Sequence, residues 1–136
     1  MDAQTRELVW RRADQRCEYR RIHQDDEPFY RFHVEHVVAK QHAGSDDPNN
    51  LALACHHDNE HKGTNLSGID PGTGKVARLF NPRRQRWSRH FRFEGAGIVG
   101  RTQCGRATAH VLAMNAPDRI ELRAELLAAG VFPPAS

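Results

Sequence analysis

The stretch Phe32–Gly63, FHVEHVVAKQHAGSDDPNNLALACHHDNEHKG, sets out a Glu35-His36 pair and an Asn50-Leu51 step. A Cys55-x-x-Asp58-Asn59-x-x-Lys62-Gly63 segment follows them. Phosphodiester hydrolysis needs an activated water, a cation to offset phosphate charge, and stabilisation of the leaving oxygen. Neutral imidazole is a suitable base near neutral pH. Hard divalent cations take oxygen ligands from carboxylates and amide carbonyls. Adjacent strand residues face opposite ways, so Glu35 and His36 share one site only if the strand bends at its end. Asn50 ends a loop, where its amide oxygen could accept a bond from an imidazole N–H and fix the tautomer. Asn59 and Lys62 are i, i+3 on a helix and share a face, one suited to a metal and the other to a phosphate.

The elements that must position these groups are legible from pattern. Residues 3–16 read as a helix with Asp2 as N-cap, and 17–24 as a turn or knuckle before the Asp25–Pro28 loop. Residues 29–38 alternate as a strand, 40–50 form a loop, and 51–55 are a short buried strand. Residues 58–62 are helical and stop at Gly63. Glycine-rich turns then lead to strands at 76–80, 86–93 and 98–100, and to helices at 102–114 and 117–129. The expectation is an α+β protein of small antiparallel sheets and peripheral helices. At 136 residues it reads as a single domain over 1–136, with a core motif over about 17–64 and a C-terminal extension over about 70–136.

Composition narrows the class. Hydrophobic residues make up 38% and charged residues 27%, as in a soluble globular protein on the polar side. No run approaches the ~18 apolar residues of a membrane helix, and the N-terminus has no apolar signal region. The expectation is a cytoplasmic protein with no membrane partner, in which Cys17, Cys55 and Cys104 stay reduced. Net charge is only +3, but seven Lys and Arg and no acid lie between Pro71 and Phe93. Such a block suits a polyanion, or is simply a solvated basic face. Within it Arg83, Arg84, Arg86, Arg89 and Arg92 alternate with Trp87 and Phe91. As a strand, it would turn Arg86, Ser88, His90 and Arg92 one way and Trp87, Arg89 and Phe91 the other, with Trp87 and Phe91 in the core.

Glu35-His36, Asn50-Leu51 and Cys55–Gly63, in that order and spacing, resemble the HNH endonuclease family, whose core is a ββα-metal finger. The resemblance implies that core with an N-terminal helix, an added antiparallel hairpin or small sheet, and C-terminal helices. It implies His36 as general base, Asn50 as its orienting residue, Glu35 and Asn59 as ligands of Mg²⁺ or another divalent cation, and Lys62 as a phosphate contact. It further implies DNA as partner, with Arg83, Arg84, Arg86, Arg89 and Arg92 as backbone contacts.

Many HNH proteins brace this core with zinc on two Cys-x-x-Cys knuckles. Here the knuckles read Cys17-Glu18-Tyr19-Arg20 and Cys55-His56-His57-Asp58, each with its second cysteine replaced. A closed zinc site needs four ligands, so zinc is not expected. The replacements are opposite in sign, and Arg20 is expected to meet Asp58 as a guanidinium–carboxylate pair in its place. His33 is a support for the site; His56, His57 and His61 are structural or exposed. The function expected is a metal-dependent endonuclease. The alternatives are a nucleic-acid-binding module on the same scaffold with weak or no catalysis, and a zinc-binding interaction protein.

Overall fold

Leu51–Ala54 is apolar throughout and buried on both faces, and the fold is laid down around it. The computed structural model describes residues 1–134. Helix α1 (Ala3–Arg12) starts where Asp2 Oδ1 accepts a bond from the Thr5 N–H at 2.7 Å. It buries Val9 and stacks Trp10 on Phe32. The knuckle at 17–22 closes on itself through Cys17 N–H to Ile22 O at 2.9 Å and Arg21 N–H to Cys17 O at 2.9 Å. Strand β1 (His33–His36) pairs antiparallel with β2 (Leu51–Ala54), with Glu35 opposite Ala52 and His36 opposite Leu51. Helix α2 (His56–Lys62) follows at once, so this half is a ββα unit.

Two further hairpins come next: β3 (Ser67–Ile69) with β4 (Val76–Arg78), and β5 (Phe91–Glu94) with β6 (Gly97–Gly100). Between them lies one helical turn, α3 (Trp87–His90). Helices α4 (Gln103–Val111) and α5 (Pro117–Ala128) close the chain. Gly105 lets α4 lie close, since a Cβ there would run into the carbonyl oxygen of His90. One buried cluster joins Val9, Tyr19, Leu53, Phe80, Phe91 and Met114, so both halves share a core. The architecture is α+β. Among the described residues, no helix is long and apolar enough to cross a membrane.

Two expected strands are corrected. The first is not 29–38 but only His33–His36. Gln24 stands in for a partner strand before it, accepting from Phe32 N–H at 2.7 Å and donating to Tyr30 O at 3.1 Å. Phe29 is left 79% exposed. The second is 86–93, which begins as the α3 turn and becomes strand only at Phe91. The reciprocal bonds of Asn81 and Gln85 set a tight turn ahead of it, and the Trp87 indole N–H is fixed to Tyr19 O at 2.7 Å. Helical spacing therefore brings Trp87 and Phe91 together in the core, with their ring centroids 5.2 Å apart. His90 does not face outward with the arginines; its Nδ1 meets Thr102 Oγ1 at 2.7 Å.

Candidate active site

Strand geometry separates the Glu35-His36 pair. Glu35 points inward and is 5% exposed; the His36 side chain is on the other face at 23%. Glu35 Oε1 accepts the Tyr19 hydroxyl, and Oε2 lies 3.5 Å from Lys62 Nζ. Burial pushes the Glu35 carboxyl above its ordinary range, only partly offset by Lys62 and Tyr19. Lys62 was expected at a phosphate, but it is 2% exposed. Its ammonium donates to Val37 O at 3.1 Å and to His36 O at 3.4 Å. It therefore pins the strand end that carries His36, its ammonium taken up by these carbonyls and by Glu35.

Asn50 is also placed differently from the expectation. Its Oδ1 accepts from Val38 N–H at 2.9 Å, and its Nδ2 donates to Val38 O and Ser45 O at 2.9 and 2.8 Å. The amide thus ties the loop across itself and takes no bond from the imidazole. His36 Nε2 instead faces Asp46 Oδ1 at 2.7 Å. Asp46 is also 3.3 Å from Lys40 Nζ, and these two donors hold its carboxyl below the usual range. In the sequence SDDP looks like ordinary loop chemistry and does not single out Asp46; the signal it carries is an acid between the imidazole and Asn50. Asn59 is half-buried on α2, and its side chain has no hydrogen-bond partner among the described residues. His33 Nε2 sits 3.2 Å from His56 Nδ1 beside β1, and His57 Nε2 bonds Ala113 O at 3.1 Å.

Behind the site lies a buried charged cluster. Cys17, Cys55 and Asp58 each offer a ligand atom, all within 4.8 Å of one another. Arg20 enters the same space. Its Nε is 3.1 Å from Asp58 Oδ2 and 3.2 Å from Cys55 Sγ, and its Nη2 is 2.7 Å from that sulfur. The Cys17 thiol donates to Asp58 Oδ2 at 3.2 Å, and burial raises its pKa well above the ordinary thiol value. Burial alone would lower the Arg20 pKa, but Asp58 and the two sulfurs outweigh it and hold the guanidinium charged. These donors do not fit a zinc ion as folded. Three ligands are one short of a tetrahedral set, and the guanidinium donates into the atoms a metal would need.

Residues 15–65 match the family model of the HNH endonucleases. Over these residues the chain is similar to the HNH endonucleases. No curated protein and no solved structure matches the chain. The HNH segment therefore spans the knuckle, β1, the loop, β2 and α2, and it contains His36, Asn50, Asn59 and the Arg20–Asp58 pair. That likeness points to nuclease-type activity in general.

The Arg-rich segment lies outside the HNH match and divides in two. Arg84, Arg86, Arg89 and Arg92 are exposed, although Arg92 faces Glu94 at 3.4 Å. Arg83 turns inward to form an ion pair with Glu18, whose other oxygen accepts Leu53 N–H at 2.9 Å. Burial, with Arg12 nearby, brings its guanidinium down to about 10. Arg83 is thus a strut between the second half and the HNH unit, not a free backbone contact. A cleft of about 260 Å³ runs from Val37 and Val38 past Lys62 and Arg78 to Arg84.

Proposed function

We propose that the chain is an endonuclease that hydrolyses DNA phosphodiester bonds with the help of a divalent cation such as Mg²⁺, and that His36 is the general base. His36 carries the reading. It is the one member of the Glu35-His36 pair whose side chain reaches solvent, and a charged residue holds each side of it: Lys62 on its carbonyl, Asp46 on its ring. In this step the imidazole takes a proton from water as the water oxygen attacks phosphorus, a contribution of roughly 10²–10⁴ in rate.

A cation would offset the phosphate charge when bound, and the family resemblance assigns its ligand positions to Glu35 and Asn59. The Asn59 amide has no hydrogen-bond partner among the described residues. Glu35 does not fit that task in this arrangement, because both of its oxygens are taken by Tyr19 and Lys62. Water activation therefore falls to His36 alone.

His36→Ala should abolish plasmid cleavage across a panel of divalent metals while folding and DNA binding persist. Undiminished cleavage by that variant would sink the assignment. The closed state of Glu35 favours a second reading, a DNA-binding module on an HNH scaffold with weak or no catalysis. Duplex binding without cleavage in any divalent metal is the result that reading requires.

A further inference from the structure

The geometry points to Asp46 as the positioning residue for His36, fixing the imidazole as the Nε2–H tautomer and leaving Nδ1 as the base atom. The inference rests on the nuclease reading above. An ionised carboxylate only accepts hydrogen bonds. With Oδ1 at 2.7 Å from Nε2, the proton of a neutral ring must therefore sit on Nε2. Nδ1 then carries the free lone pair, and among the described residues it has no hydrogen-bond partner.

The chain builds this contact deliberately through the loop between β1 and β2. Gly44 brings the loop back onto β1: its N–H donates to Ala39 O at 3.0 Å, and a Cβ there would collide with the Val38 carbonyl. Asn50 Nδ2 then clamps Ser45 O, one residue before Asp46. Asp47 N–H bonds Ser45 Oγ at 3.2 Å, one residue after it. Lys40 Nζ reaches the same carboxylate at 3.3 and 3.4 Å. Asn50 therefore supports the base at one remove, by holding the loop that carries the carboxylate.

In the step itself, the water oxygen forms the bond to phosphorus and its proton moves to Nδ1. The bond from phosphorus to the leaving sugar oxygen breaks. That oxygen departs with the bonding pair and takes a proton from solvent. The ring becomes an imidazolium, and Asp46 stabilises the new charge through Nε2–H, as carboxylate–imidazole pairs do elsewhere.

Asp46 is 42% exposed, so its variants should fold. The test combines steady-state plasmid cleavage with nitrogen NMR of the metal-free protein at a pH where the ring is neutral. Wild type should show the Nε2–H tautomer at His36. Asp46→Ala should show a mixture, with kcat lowered about tenfold or more, within the ~10²–10⁴ a placed base contributes, and KM for DNA unchanged. Asp46→Glu should recover part of kcat. An unchanged tautomer in Asp46→Ala overturns the proposal, as does wild-type kcat in that variant. Those failures leave the nuclease reading standing. If His36→Ala cleaves like wild type, it is that reading that falls.

Discussion

Arg20 is a cation enclosed by two sulfurs and a carboxylate, and its energetics follow from burial. An exposed pair of this kind is worth about 1 kcal/mol at most. Here neither side chain sees solvent, and Arg20 Nη1 and Asp58 Oδ1 have no partner among the described residues. Removing one member strands the other charge in the interior, which costs about 3–5 kcal/mol, whereas replacing both by apolar groups is often neutral. Arg20→Met should therefore lower stability by about that amount in urea denaturation. Arg20→Met with Asp58→Leu should recover most of the loss. A single variant within about 1 kcal/mol of wild type would show the pair to be dispensable. The exchange of signs at the two knuckles is legible in the sequence. Their burial is not, because residues from far along the chain pack on this knuckle, as the Trp87 indole N–H does in bonding Tyr19 O.

At the scale of elements, the ββα unit is readable because its cues are local: alternation before His36, an apolar run at Leu51–Ala54, and Gly63 ending α2. What the sequence does not display are side chains that replace backbone pairing. Gln24 stands in for a strand edge, and Asn81 with Gln85 turns an expected strand into α3. Nor does alternation reveal that Lys62 faces inward, since its place depends on where α2 crosses β1. The β3–β4 hairpin is held in the same non-local way. Asp70, fully buried where the turn leaves β3, accepts from Arg106 Nε and Nη2 at 2.8 and 2.9 Å and from Gly72 N–H and Thr73 Oγ1. Arg106 chiefly holds the Asp70 carboxyl far below the ordinary range. A depressed carboxyl stabilises the fold above the unfolded value of ~3.9, and that contribution is lost as pH falls towards the folded value. Asp70→Asn should therefore be less stable than wild type at neutral pH, and the gap should close as pH drops below ~4. A gap independent of pH would assign the loss to packing alone.

Across the whole molecule the basic charge is divided by what each cation touches. Lys62 and Arg83 are consumed inside, on Glu35 and Glu18, while Arg84, Arg86 and Arg89 face solvent. Arg84 lines the same cleft as Val37 and Val38, the residues that follow His36. A duplex backbone in that cleft would thus run from Arg84 towards the proposed base. Only cations that neutralise phosphates release counterions, each adding about 0.9 to the slope of log affinity against log salt. Arg84→Ala should reduce that slope by about 0.9 in anisotropy titrations of a labelled duplex, whatever its sequence. Arg83→Ala should leave the slope alone and lower stability instead, because Glu18 loses its cation between Arg83 and β2. Equal changes in slope from the two variants would mean that the Glu18 pair opens on binding, and that the duplex draws on the inner arginine as well as the outer ones.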